Sequence, residues 1–479
     1  MTGRKKLLIA TVVWGDWYVG ALVDCAVPSL LSPNNFPRLA RDCDLEFLVM
    51  TRPAEQPRIE SSPAIQLARK FMTVHVLPGL PPVIDSTVNV FNFHHMMWNF
   101  VYERAKREGS YVFNLSPDAV FADGAGTCWA DLIARGQRAI LWTFPRGLDT
   151  AMPILRDRYR TPDGAINISP RELVSLNLQH LHPLSKALQL DSPNFPNFPE
   201  MLLWPVPGEG LLMRILAGEP RVFNPSQVEL TPQQIVAGTM DGCTFIDDSD
   251  VLYTMSLTPA GHNADWYKQP AKADSGKVGR WWLDFDSPTN DSVAAHQICV
   301  HPGDRTEALW RARERRANLF VSRAAASREF LRVARAAFAA DCTWVAALLT
   351  MIGRTTAGLR LFPGRMQTLI FGPTDAAIAS LSIGELLKPA AAARLARLLR
   401  SHVVIDDRPE LNLTERVHEA GGILRLRSLA GRELTVARRP DGWLMLDRFK
   451  LAHSQIRTRG HTFIPVDGVL DEDVGRALA

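Results

Sequence analysis

Residues 5–13 read KKLLIATVV, a basic start followed by a nearly unbroken run of apolar and β-prone side chains. A strand that is apolar at every position, and not at every second one, has to be covered on both faces. That requirement points to a largely parallel sheet lying between helices. A second run of this kind, Leu45–Thr51 (LEFLVMT), follows after the helix-like segment Val19–Leu31, in which Pro28 is expected to introduce a kink. The strand–helix–strand rhythm is that of a doubly wound sheet. Thr73–Leu77 (TVHVL) and Ala139–Thr143 (AILWT) supply further short strands, the latter after a helix over roughly Trp129–Arg135. Asn89–Lys106 reads as a helix, since Phe93, Met96, Met97, Phe100 and Val101 recur at three- and four-residue spacing.

One stretch organises the chain chemically. Tyr111 to Leu115 is apolar and β-prone, ends abruptly in Ser116-Pro117-Asp118, and is followed by a short run, Ala119–Phe121, that closes in Asp123-Gly124. Pro117 has no backbone N–H, so the strand ladder stops there and Asp118 emerges at a strand end. Ligands of open α/β sheets bind at such ends. The plainer reading is that Asp118 opens a turn and Asp123-Gly124 closes it. A comparable pair of readings holds for Trp14-Gly15-Asp16-Trp17-Tyr18 after the first strand: a base-stacking wall, or aromatic lids over the sheet edge.

The length of 479 residues calls for two or three domains, and 46% hydrophobic with 22% charged residues describes a globular chain with ample core. The basic N-terminus precedes an apolar stretch too short for a signal peptide and reads as a first strand. Ala336–Ile352, interrupted by Asp341, is too short to cross a bilayer. Six cysteines without a CxxC pair suit a reducing compartment, so the expected location is cytoplasmic. Charge is unevenly shared. Residues 301–479 hold 28 Lys+Arg against 19 Asp+Glu, a net of +9, and residues 1–300 a net of −5. An Arg-rich back of this kind is either a set of solvated helix faces or a surface for anionic lipid, nucleic acid or another polyanion.

From about Pro302 the pattern turns helical, over Thr306–Ala326, Arg328–Ile352 and Ala376–Leu399. Gly422–Lys450 then alternates with period two and is split by Ala430-Gly431 and Pro440-Asp441-Gly442, as in a three-stranded antiparallel meander. The expected organisation is one α/β domain over about residues 1–300 and a helical plus small-β region over 301–479.

A strand ending in a carboxylate, preceded by a basic-ended helix, resembles the nucleotide-sugar half of GT-A-type glycosyltransferases. VVWGDWY followed by VPSLLSPNNFP, and YVFNLSPDAVFADG, carry the resemblance, which covers roughly residues 5–265 and leaves Thr306–Ala479 outside it. It implies a GT-A-like, Rossmann-like mixed sheet and, in bacterial enzymes of this type, transfer of a sugar from a nucleotide-diphosphate-sugar donor to a glycan or glycoconjugate. It also implies an Asp-x-Asp motif holding Mn²⁺ or Mg²⁺ against the donor diphosphate. Here the matching positions are Ser116-Pro117-Asp118, so only Asp118 carries over as a metal ligand, with Ser116 beside it. Asp123 is a candidate for indirect support. Trp14, Gly15 and Asp16 fall where the family's first loop meets base and ribose.

Further candidates come from side-chain chemistry. His94 and His95, early in the Asn89–Lys106 helix, are either diphosphate contacts or ordinary packed or surface histidines. His180 and His182 precede a proline and are open as metal ligands or bases. Glu209, between two glycines, and Asp241 are candidates for the carboxylate that takes an acceptor hydroxyl's proton; a solubilising turn is the alternative for Glu209. Asp247-Asp248-Ser249-Asp250 is a metal loop or a capping turn. No P-loop, HExxH or GxSxG motif is present. Alternatives to sugar transfer are a non-catalytic binding protein that keeps the fold, and nucleic-acid binding through the Arg-rich part.

Overall fold

The computed structural model describes residues 4–81, 90–230, 235–236, 241–352, 367–379 and 392–470. The chain divides into two compact units, Met1–Ala273 with Phe285–Asn318, and Asp274–Asp284 with Leu319–Ala479. The division lies at 318, later than the change in composition near 301. It falls inside one helix, Glu307–Ala339, where the Arg- and Ala-rich pattern suggested two. That helix ends just before Asp341, whose φ of +56° no α-helix accommodates.

The first unit begins with β1 (Lys5–Val12), β2 (Cys43–Met50) and β3 (Thr73–Leu77), all parallel. Between β1 and β2 the chain is helical from Asp16 to Leu30. It passes Pro28 by way of a wider π-helical turn at Leu22–Ala26 rather than a break. The helix Val90–Glu108 leads into β4 (Tyr111–Asn114), which pairs parallel with β1 on the side away from β2. A turn separates β4 from β5 (Ala119–Phe121), and the helix Ala125–Ala134 precedes β6 (Ala139–Leu141) and β7 (Arg146–Leu148).

Further along come β8 (Met201–Val206) and β9 (Gly210–Ile215), a hairpin, and β10 (Val222–Phe223). The two-residue strands β11 (Glu229–Leu230) and β12 (Ile235–Val236) pair with each other, and β13 (Cys243–Phe245), β14 (Thr254–Thr258) and β15 (Ile298–Val300) complete the unit.

Seven of these strands form one mixed sheet in the order β3-β2-β1-β4-β10-β6-β13. Every neighbouring pair is parallel except those made by β10, which runs antiparallel to both β4 and β6. The continuous apolar run of β1 has the expected consequence. Leu8, Ala10 and Val12 pack into one core cluster, with Val101 and Ala105 of the Val90–Glu108 helix. Leu7, Ile9 and Val13 pack into another, with Leu22, Phe36 and Trp129 from helices on the opposite face. Each buried leucine of such a strand contributes roughly 2 kcal/mol of transfer free energy. A small second sheet, β5-β14-β7, stands beside the C-terminal end of β4, and a third, β15-β9-β8, completes the unit.

The second unit contains two four-stranded sheets. One is the meander Ile423–Arg427, Glu433–Arg438, Leu444–Leu446 and Phe449–Lys450. It has one strand more than the sequence pattern suggested, because Asp447, at φ +53°, turns the chain inside WLMLDRF. The other joins Thr368–Pro373 in parallel to His461–Val466, with Val403–Ile405 and Ile456–Thr458 at its edges. Of the expected helix Ala376–Leu399, the structure shows Asp375–Ile378 and the start of Ala392–Ser401; residues 380–391 lie outside the described residues. Among the described residues no helix is long and apolar enough to cross a membrane.

Candidate functional site

In the strand order β3-β2-β1-β4 the chain winds outward from β1 in one direction and resumes on its other side at β4. The ends of β1 and β4 therefore flank the position where connections diverge, which is where open α/β sheets bind ligands. Two of the stretches singled out in the sequence meet there. Trp14, Gly15 and Asp16 follow β1, and Ser116, Pro117 and Asp118 follow β4, because β1 and β4 are parallel and in register from Leu7↔Tyr111 to Ala10↔Asn114.

The loop after β1 is held from below. Gly15 adopts φ +82°, a conformation that favours glycine, and its N–H donates to Glu55 Oε1 at 2.7 Å. Glu55 is buried after the end of β2 and is also bound by the Arg52 guanidinium, so it fixes the loop of one strand to that of the next. Trp14, Trp17 and Tyr18 are half-buried. The Trp17 and Tyr18 rings meet edge to face at 4.7 Å, and Trp17 Nε1 donates to Asp149 Oδ2 at 3.3 Å. Asp16 opens the helix with its side chain fully in solvent, 3.4 Å from the Arg58 guanidinium.

Asp118 sits half-buried in the turn between β4 and β5. Its main-chain oxygen accepts from Leu257 N at 2.8 Å, and Ser256 Oγ donates to its Oδ2 at 2.7 Å. Burial pushes its carboxyl above the ordinary aspartate range; the Ser256 hydrogen bond and the nearby charges of Arg146 and Arg221 pull the other way without reversing it. The small sheet explains the company it keeps. Ala119, Ser256 and Arg146 are direct partners across β5, β14 and β7, so Arg146 and Ser256 project from the same face of neighbouring strands.

Arg221 arrives from the main sheet. It precedes β10, its carbonyl accepts from Asn114 N at 3.0 Å, and its guanidinium lies over the Phe144 ring at 5.8 Å. His262, half-buried in the loop after β14, is close enough to feel both Arg146 and Asp118. Burial, with help from Arg146, lowers its pKa and favours the neutral ring. Tyr18 senses Asp118 and Arg146 as well. None of Arg146, Arg221, Ser256 and His262 stands in a motif. They come from chain positions far from Asp118, and only the pairing of β5 with β14 and β7, and of β4 with β10, brings them in.

Several sequence candidates take other roles. His182 is buried at the N-cap of the helix Pro183–Ala187. Its Nδ1 accepts from Leu184 N at 3.0 Å, so Nε2 carries the proton and donates to Pro259 O at 3.0 Å. Neither nitrogen keeps a lone pair for a proton or a metal, and burial favours the neutral ring. The main-chain N–H of His182 donates to Arg146 O, so this residue ties the β14 loop to β7 as scaffold rather than as a base. His180 Nδ1 pairs with the Thr150 hydroxyl at 2.9 Å.

Glu209 is likewise spoken for: its Oε2 accepts from Thr306 N and Trp310 Nε1, both at 2.8 Å, which anchors the start of the long helix. Asp241 precedes β13, which runs parallel to β6 and β4, so it lies at the amino edge of the sheet, the opposite end from Asp118. The proton-acceptor roles expected of His182, Glu209 and Asp241 do not fit their positions. The side chains of His94 and His95, within the Val90–Glu108 helix, lie outside the described residues.

The donor set around Asp118 does not make a cage for a divalent cation. Mg²⁺ or Mn²⁺ takes about six oxygen ligands, of which water and the donor's phosphates supply most, and needs one or two carboxylates of the protein left open to it. Asp118 offers one carboxylate, already taking a hydroxyl hydrogen bond, with two guanidinium groups near it. Asp123 points elsewhere: its two oxygens accept from Ser32 Oγ, Asn34 N and Asn34 Nδ2 at 2.7–2.9 Å and brace the turn at residues 32–35.

Asp248, Asp250 and His301 bring ligand atoms within 4.8 Å of one another. Asp250, however, is engaged by the Arg171 fork, and Asp248 by Arg305 and His301. The cluster is a charge-matched network whose carboxylates are already engaged. In the Arg-rich part, too, Arg328, Arg332, Arg335, Arg408, Arg416 and Arg432 each face a carboxylate, which leaves that much less cationic surface for a polyanion.

Fold and site together define an α/β protein with a helix-flanked mixed sheet and, at its carboxyl edge, a polar cluster of one aspartate, two arginines, a histidine and aromatic rings. No protein-family model matches the sequence, and no curated protein matches it either.

Proposed function

We propose that the first unit is a GT-A-like glycosyltransferase domain that moves a sugar from a nucleotide-diphosphate-sugar donor to a hydroxyl of a glycan or glycoconjugate. One observation carries the reading: the aromatic loop after β1 and the Asp118 turn after β4 emerge side by side where the strand order reverses. On this reading Trp14 and its neighbours face the base and ribose, and the Asp118 carboxylate accepts hydroxyl groups of the donor sugar. His262, kept neutral by its surroundings, is the candidate to take the acceptor's proton. A protein that keeps this site for binding alone is the second reading, favoured by Ser116 standing where the resemblance has its first aspartate.

The test is donor hydrolysis and transfer with uridine-, guanosine- and cytidine-diphosphate sugars. Turnover with at least one donor, abolished by Asp118→Ala, supports the enzyme. His262→Gln is expected to lower kcat by about a hundredfold or more while leaving donor affinity in place. Binding without turnover for every donor moves the assignment to the second reading; neither binding nor turnover removes both.

A further inference from the structure

We infer that this site, on the reading that it takes a nucleotide-linked sugar, neutralises the donor's diphosphate with Arg146 and Arg221 rather than with a divalent cation. The two side chains approach the same end of the sheet from different strands. Arg146 comes from β7, level with Ser256, whose hydroxyl is bonded to Asp118; Arg221 comes from the residue before β10, opposite the last residue of β4. Both are half-buried.

Their main chains are fixed while their guanidinium groups are not. Arg146 N donates to Ser185 Oγ, and Arg146 O accepts from His182 N and Ser185 Oγ. Among the described residues, neither guanidinium donates a hydrogen bond to the protein. Arg146 has Glu200 at 4.0 Å as its ion-pair contact, and Arg221 has the Phe144 ring. A guanidinium offers five donors in a fixed fork that matches phosphate oxygens two at a time. Two half-buried forks beside a lone carboxylate make a poor cation cage and a suitable cradle for an anion of charge about −2 to −3.

The chemistry balances without a metal. In transfer, the bond between the sugar's anomeric carbon and the β-phosphate oxygen breaks as the bond to the acceptor oxygen forms. The electron pair leaves with the nucleoside diphosphate, and the acceptor's proton passes to a base, for which His262 is the candidate. Charge builds on the departing phosphate oxygen, where guanidinium donors already engaged by the diphosphate stabilise it.

The experiment is calorimetric titration of the full chain with inorganic pyrophosphate and with uridine, guanosine and cytidine diphosphates, first in EDTA and then in Mn²⁺. At least one of these probes is expected to bind in EDTA, with affinity changed less than about threefold by Mn²⁺. Arg146→Gln and Arg221→Gln are each expected to weaken it tenfold or more, with Arg146→Lys and Arg221→Lys recovering part of the loss. Thermal unfolding of each variant shows whether it folds, and if a Gln variant does not, its Lys counterpart carries the test through its own weaker binding. Binding that requires Mn²⁺ would overturn the inference and leave the donor reading in place. Binding in EDTA that is indifferent to all four substitutions would overturn it too. No binding of any probe under either condition would bring down the donor reading, and the inference with it.

Discussion

Arginine is used in two ways in this molecule. In the second unit Arg328, Arg332 and Arg416 are buried and committed to acids. Arg416 meets Asp406 at 2.7 Å with both side chains almost wholly out of solvent, and Arg328 and Arg332 converge on Glu329, which also receives His461 Nε2 at 3.0 Å. At the carboxyl edge of the first unit, Arg146 and Arg221 are half-buried and, among the described residues, their guanidinium groups donate no hydrogen bond to the protein. A buried guanidinium whose acid is removed is expensive, so the first arrangement specifies the fold. The second contributes little to stability, because its interactions with the protein are weak. Its value lies in what those donors can hold.

The largest expected effect breaks the committed arrangement. Burial alone would raise the pKa of Glu329, but His461, Arg332 and Arg328 outweigh it and hold the carboxyl at about 2. A depressed carboxylate stabilises the fold above its ordinary pKa and loses that contribution as pH falls. Acid titration of the second unit should therefore show stability declining from about pH 4.5 towards 2. Glu329→Ala should destabilise it by roughly 3–5 kcal/mol in urea denaturation at neutral pH. Arg146→Gln and Arg221→Gln in the first unit should change the unfolding free energy from urea denaturation by no more than about 0.5 kcal/mol. A loss from either as large as that of Glu329→Ala would erase the distinction between the two regions.

A middling effect is expected at Gly15. An alanine there meets no neighbour, yet it would be forced to φ +82° and ψ 143°, outside even the left-handed helical region, so Gly15→Ala should cost roughly 1–3 kcal/mol in thermal unfolding. An unchanged melting temperature would mean that the loop after β1 is not held as described. The smallest is a gain. Burial raises the pKa of Asp118, so the ionised group penalises the folded state at neutral pH. That penalty is full above the raised pKa and disappears as pH falls below the ordinary value of about 3.9. Asp118→Asn, which can still accept from Ser256, should raise the melting temperature slightly at pH 7 and not at pH 3. A drop at pH 7 would place Asp118 among the committed acids instead.

Much of the frame was legible in the sequence because burial on both faces leaves a continuous apolar run. β1, β2, β3 and β4 lie where such runs occur, and the Val90–Glu108 helix lies where its three- and four-residue spacing put it. β10 was not legible: two residues carry no periodicity, yet they separate β4 from β6 and bring Arg221 to the edge. Asp118 and the Trp14 loop were visible as strand-end chemistry. Arg146, Ser256 and His262 were not, since tertiary pairing alone makes them neighbours. Glu209, Asp241 and His182 were plausible by residue type. Sequence shows neither which end of a parallel strand faces the site nor whether a histidine's two nitrogens are already spent on main-chain bonds.

The proposed diphosphate lodges at the carboxyl edge of the sheet, beside the Asp118 turn that follows β4. A crystal structure of the full chain grown with pyrophosphate or a nucleoside diphosphate, in EDTA, tests this most directly. The phosphate oxygens are predicted to lie within hydrogen-bonding distance of the Arg146 and Arg221 guanidinium groups, on the Asp118 side of the sheet. Phosphates seated anywhere else, with both arginines untouched, would contradict it.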